Sequence, residues 1–244
     1  MHRLLLTLLL IVGVPVFGLA ASCAPGSLLA YIGLGSGGCE IGSATFSDFS
    51  ARASFSGGSA IDPSLISVTP TGLGFVFALT TNAGPGELLG IAIGYSASGF
   101  QFQGALLSMA GAEAAGDGVV FVVTDLCLEG NFASDPSDCS SPQSLSLITA
   151  QNFLGSTGPD SKAFGPISFF DVFTDITIDG GLSGSALLGA PDAPGTVTNE
   201  FQAAAVPEPA TVLLVGAGLI ALWVRRRLTR PTNPVTGSEG EDPC

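Results

Sequence analysis

The chain has 244 residues, 20 acidic against 7 basic side chains, a formal net charge of −13, 34 Gly, 16 Pro and only 11% charged residues. Such a composition favours strands and turns over long helices. Its acidity argues against nucleic acid as a partner, because phosphate backbones are repelled.

In chain order, the first element is an export signal over residues 1–20. Arg3 supplies a positive end, Leu4 to Phe17 is an apolar run, and Gly18 and Ala20 place small residues at −3 and −1 of a cut site. The expected body, residues 21–205, is long enough for one domain with a sizeable core. It holds sixteen carboxylates against two cations, Arg52 and Lys162.

Within the body, apolar residues alternate. Ile66 and Val68 mark a short strand, and Phe75, Phe77 and Leu79 a second. Leu89, Ile91, Ile93 and Tyr95 share one face of "LLGIAIGY", and Phe100 to Met109 reads as a separate strand. Val119, Phe121 and Val123 share a face of "VVFVVT". Leu145 and Leu147 follow, then Phe170, Val172, Ile176 and Ile178. With Thr45 to Ser50, Leu182 to Leu188 and Thr196 to Phe201, about ten strands are expected, separated by Gly-, Pro- and Asp-rich turns. No stretch of the body keeps a helical period. The expected fold is all-β, an antiparallel β-sandwich of jelly-roll type.

Cys23 and Cys39 bracket one short turn-rich interval, and Cys127 and Cys139 another. Two local disulfides in an oxidising compartment are expected, although four cysteines allow three connectivities.

Chemistry in the body is sparse. The single histidine, His2, falls in the export signal, which removes Ser-His-Asp and Cys-His catalysis and histidine-ligated zinc from the body. Lys162, in "GPDSKAFGP", reads as a solvated loop residue. Asp171, Asp175 and Asp179 share the strand face opposite Phe170 and Val172, and read as a solvated face. Successive members stand about 13 Å apart, too far to share a metal or to form a glycosidase pair unless a cross-strand carboxylate completes it. Asp135 and Asp138, in the Cys127–Cys139 interval, match no calcium-loop pattern. "GLGSGG" at Gly33 to Gly38 lacks the lysine and strand–helix setting of a phosphate loop. No catalytic residue, metal or cofactor is expected. A sugar platform normally presents Trp or Tyr; the body offers only Tyr31 and Tyr95, and its fifteen Phe suit a core.

The last element begins at Val206-Pro207-Glu208-Pro209. An apolar helix over about 210–224 follows, roughly 22 Å long against a bilayer core of about 30 Å. Trp223 suits the membrane interface, and Arg225, Arg226 and Arg227 suit the cytoplasmic side. This predicts a single transmembrane helix with the body outside and residues 231–244 as a disordered cytoplasmic tail.

Val206-Pro207-Glu208-Pro209-Ala210-Thr211, an apolar span and then Arg225-Arg226-Arg227 together resemble the PEP-CTERM sorting signal of Gram-negative bacteria, over residues 206–230. The departure from the pattern is the acidic extension from Leu228 to Cys244. The resemblance implies exosortase as processing partner, the inner membrane as a temporary anchor, and release to the cell envelope or an exopolysaccharide matrix. It also implies that the signal is a substrate rather than a catalyst. The expected function is a structural or adhesive surface domain. A glycan-binding module of the matrix is the alternative, and a carboxylate-dependent glycosidase comes third.

Overall fold

The computed structural model describes residues 21–133, 135, 137–204, 219–220 and 222–223. The chain divides into two units between Ala204 and Ala205. The expected export signal over residues 1–20 and the expected tail over residues 231–244 lie outside the described residues.

The first unit begins with β1 (Ala21–Ser22), β2 (Gly26–Ser27), helix α1 (Leu28–Ile32), β3 (Cys39–Ile41), β4 (Ala44–Ala53) and β5 (Ser59–Ala60). It continues through β6 (Ser67–Pro70), β7 (Gly74–Leu79), β8 (Thr81–Ala83), β9 (Leu88–Ala110), β10 (Ala112–Ala115) and β11 (Val119–Leu128). β12 (Ser144–Asn152), β13 (Gly155–Ser156), β14 (Asp160–Asp179), β15 (Ser185–Leu188) and β16 (Gly195–Ala203) complete it. Pairing is antiparallel apart from β1 with β3 and β5 with β9. The five-residue α1 is one turn of helix that the periodicity did not show; Ser27 caps it by accepting from Ala30 N at 3.2 Å.

Two long strands organise the unit. The first half of β9 pairs with β4 and with the second half of β14. Its second half pairs with β16 and with the first half of β14. Both strands therefore pass from one layer into the other, giving a sandwich-like body. The expected strands at 89–95 and 100–109 are thus one strand, bent at Gly99. There φ is +80°, and a Cβ would stand 3.1 Å from the Ser43 carbonyl oxygen. β14 shifts register between Ala163 and Ile167, around Gly165 and Pro166. Lys162 consequently lies in a strand rather than in the expected loop, and is exposed. A separate three-stranded sheet, β10-β15-β8, packs Ala83, Ala186 and Leu188 into the same core.

The core is aromatic. Phe46, Phe75, Phe77, Phe102 and Phe170 are fully buried. Phe102–Phe170 and Phe170–Phe201 meet edge-on at 4.9 and 4.8 Å, as Phe46–Phe75 do at 4.9 Å. Tyr31 and Tyr95 are buried with them, so neither forms a sugar platform. One alternation is reversed. Val120, Val122 and Leu126 enter the core, whereas Val119, Phe121 and Val123 face outward. Five consecutive apolar residues offer two candidate faces, and a one-residue shift exchanges them.

A polar network crosses this core between the layers. Asn199 on β16 donates through Nδ2 to Thr174 Oγ1 at 2.7 Å and to Tyr95 Oη at 3.3 Å. Its Oδ1 accepts from Thr124 Oγ1 at 3.0 Å, and the two threonine hydroxyls lie 3.1 Å apart. Burial pushes the Tyr95 phenol well above its ordinary pKa, so it stays a neutral partner. Asn199→Ala leaves several buried groups without partners and should cost about 2–4 kcal/mol, against about 1 kcal/mol for Tyr95→Phe. Denaturant unfolding of both variants measures this; equal costs would show that Asn199 does not hold the network together.

Candidate functional site: an acidic–aromatic cleft on the outer sheet face

The outer face of β4, β9, β14 and β11 carries the densest chemistry of the described residues. On β9 this face reads Gly90, Ala92, Gly94 and Ser96, small residues that leave a trough. A Cβ at Gly94 would stand 2.7 Å from Ser50 Oγ, so the trough depends on that glycine. β14 supplies Asp171, Phe173 and Asp175 beside it, and Asp125 on β11 pairs in register with Phe173.

β4 forms the opposite wall. Its register shifts between Ser47 and Ser50, and Asp48 sits in this bulge with φ +56°. Ser47 Oγ donates to Asp48 Oδ2 at 2.9 Å, while the adjacent Phe49 enters the core. Arg52 lays its guanidinium over Phe173 at 5.0 Å and over Phe55 at 5.7 Å. Phe173 is thereby buried although it lies on the outer face.

The third wall is the loop after β11. The disulfide Cys127–Cys139 closes it with Cα atoms 5.4 Å apart, and a bridge pairs Phe132 with Cys139. Phe132 meets Phe173 edge-on at 6.1 Å, and its amide donates to Asp171 Oδ2 at 3.0 Å. Within the loop, Asp135 accepts from Ser137 N and Oγ at 2.8 and 2.7 Å, and Asp138 N donates to the Asp135 carbonyl. Both aspartates serve turn geometry. The second disulfide, Cys23–Cys39, has Cα atoms 4.9 Å apart and ties β1 to β3. The pairing is therefore local in both cases, which spacing alone could not choose among three connectivities.

Between these walls lies a cleft of about 170 Å³, lined by Asp48, Ser50, Arg52, Ser96, Phe132 and Asp171 among others. The expected solvated row of aspartates is corrected here. β14 is central, flanked by β11 and β9, so Asp171 and Asp175 do not guard an edge. Asp171 is half-buried and accepts from Ser96 Oγ at 2.6 Å. Asp175 accepts from Ser54 Oγ and, at 3.0 Å, from Ser56 Oγ. Asp179 stands apart and caps a turn by accepting from Gly181 N at 2.8 Å. Among the described residues no group of three or more His, Cys, Asp or Glu is placed to hold a metal ion. Gly33 to Gly38 form a helix end and a single 3-10 turn rather than a phosphate loop.

Burial raises the Asp171 carboxyl pKa above its ordinary value of 3.8, against the hydrogen bonds from Ser96 and Phe132, and the Asp48 charge adds to the rise. Burial likewise raises Asp125; the Ser146 hydroxyl opposes this, and the charges of Asp175 and Asp135 reinforce it. Asp135 is half-buried and shifts down, chiefly through Ser137 and also through Arg52.

Arg52, Asp48, Asp125 and Ser96 gave no signal in the sequence. They come together only through the Asp48 bulge and the cross-strand register. Of the sorting-segment residues, Val206, Pro207, Glu208, Pro209, Arg225, Arg226 and Arg227 lie outside the described residues. Leu219, Ile220, Leu222 and Trp223 are helical and exposed. Among the described residues no helix is long and apolar enough to cross a membrane.

Because the folded chain holds protons on Asp125 and Asp171 more tightly than the unfolded chain, their contribution to stability is fully present below the unfolded pKa. It is lost as pH rises through the raised values. The melting temperature should therefore rise on acidification from pH 7 to about 4.5, and rise less in the double variant Asp125→Asn/Asp171→Asn. Thermal melts across that range test it; identical pH slopes in the two proteins would refute it.

The model of the PEP-CTERM protein-sorting motif matches residues 205–227. No curated protein matches the chain. The solved structure of TmCBM61 in complex with beta-1,4-galactotriose is similar at 7% sequence identity over 64% of this chain and 88% of that one. The TM-score is 0.31, a likeness too slight to indicate a ligand. The sorting-motif match is the finding that identifies the chain: it is a PEP-CTERM sorting domain-containing protein.

Proposed function

We propose that this protein is exported, held briefly in the inner membrane by the helix over about 210–224, and processed by exosortase. It then passes to the cell envelope or extracellular matrix, where its jelly-roll-like sandwich serves as a non-catalytic structural or adhesive domain. The single observation that carries this reading is the sorting motif at residues 205–227. Membrane anchoring draws support from the apolar run and from Arg225, Arg226 and Arg227 on its far side. Two disulfides fit an oxidising destination. The non-catalytic reading is supported by a body without histidine, by cysteines committed to disulfides, and by outer-face carboxylates engaged by serine hydroxyls.

Glycan binding is the second reading, favoured by the cleft beside Arg52 and Asp171. The glycosidase reading is the weakest. Asp125 does sit diagonal to Asp171 and Asp175, which supplies the cross-strand carboxylate, but each of the three accepts from a serine.

Mass spectrometry of the mature protein tests the processing. The expected product lacks residues 1–20 and everything beyond the Pro-Glu-Pro region, and gains four hydrogens on reduction of its two disulfides. A mature chain still ending in Cys244 would contradict it.

A further inference from the structure

We propose that the cleft bounded by Asp48, Arg52, Ser96, Phe132 and Asp171 is a subsite for one residue of a neutral, hydroxyl-rich glycan. The inference rests on the glycan-binding reading above and gives it a place and a ligand class.

Size is the first argument. At about 170 Å³ the cleft lies well below the range of drug-sized sites, roughly 300–1,000 Å³, and suits one small polar ring. A longer chain would have to extend beyond it over the open sheet face.

Chemistry is the second. A sugar ring presents adjacent hydroxyls that both donate and accept. The cleft offers acceptors in Asp48 and Asp171, donors in Arg52, a hydroxyl that does both in Ser50, and a further acceptor in Ser96, whose single O–H is already given to Asp171. Each Asp171 oxygen already accepts one hydrogen bond, from Ser96 Oγ and from Phe132 N. A carboxylate has about four lone-pair sites, so about two remain for a ligand. Phe132 adds an apolar surface of the kind a sugar's C–H face packs against.

Charge is the third. Asp48 and Asp171 line the cleft, and Asp125, Asp135 and Asp175 stand nearby on β11, its following loop and β14, against the single guanidinium of Arg52. That excess opposes uronates, sulfated sugars and phosphate, and leaves neutral sugars as the class that fits.

The walls are also held in place before any ligand arrives. Arg52 rests on Phe173, the disulfide closes the Phe132 loop, and the Asp48 bulge is part of the β4–β9 ladder. Little ordering remains to oppose binding.

The test uses the full chain in detergent micelles on an array of neutral and uronic-acid oligosaccharides in EDTA, followed by titration with the best neutral binder. Asp48→Gly and Ser96→Ala are the variants. Gly accepts the φ of +56° at position 48, so Asp48→Gly should keep or raise the melting temperature. Neutral oligosaccharides should bind and uronates should not. Affinity should fall about tenfold in Asp48→Gly, the loss of one charge-assisted hydrogen bond, and about threefold in Ser96→Ala, the loss of a neutral one. Neutral binding that both variants leave unchanged would overturn the cleft assignment while sparing the glycan reading. Absence of any sugar binding would overturn both. Preferential uronate binding, or binding that appears only when calcium replaces EDTA, would overturn the neutral-sugar subsite.

Discussion

The pairing of β9 with β14 is the constraint from which core and cleft both follow. Alternate residues of these two strands face opposite ways. Ile91, Ile93, Tyr95, Phe170, Val172 and Ile176 point into the core. Gly94, Ser96, Asp171, Phe173 and Asp175 lie on the outer face. A slip of one residue in the register would bury the aspartates and expose the aromatic core at once. The packing energy of the inward face therefore fixes the position of every polar group on the outward one.

Two further devices hold that register. The bends at Gly99 and around Gly165 carry both strands into the second layer, so neither can slide without disturbing β16. The Asn199 network then ties β16 back to β9, β11 and β14 through hydrogen bonds that only one alignment satisfies. Directional polar bonds inside an otherwise aromatic core select one packing among many of similar apolar content.

Much of this was legible in the sequence where one face is apolar and the other polar. Phe170-Val172-Ile176-Ile178 fall on the core face for that reason, with Asp171 and Asp175 on the opposite one, while Phe75-Phe77-Leu79 are set apart from Val76 and Ala78 by bulk alone. "VVFVV" misled because both faces are apolar. The single strand from Leu88 to Ala110 reads as two in the sequence, broken between Tyr95 and Phe100, whereas Gly99 bends the strand without ending its ladder. The cleft was not legible. Its members come from β4, β9, β14 and the disulfide loop, and a bulge at Asp48 has no local signature that separates it from an ordinary strand residue. The sorting segment was the opposite case, since its information is linear: a Pro-Glu-Pro, an apolar run and a cluster of arginines in fixed order.

Export and fold are compatible demands on this chain. An acidic surface keeps the body soluble, two short-range disulfides suit an oxidising space, and the outer-face carboxylates tolerate burial because serines on neighbouring strands donate to them. The last of these rests on the β9–β14 ladder staying closed. Native-state hydrogen exchange resolved to single amides tests that most directly. The account predicts that the ladder amides of Ile91, Ile93, Val172, Thr174 and Ile176 exchange only through global unfolding, together and with the full denaturant dependence. Early, denaturant-independent exchange of these amides, with β7 and β11 still protected, would contradict it.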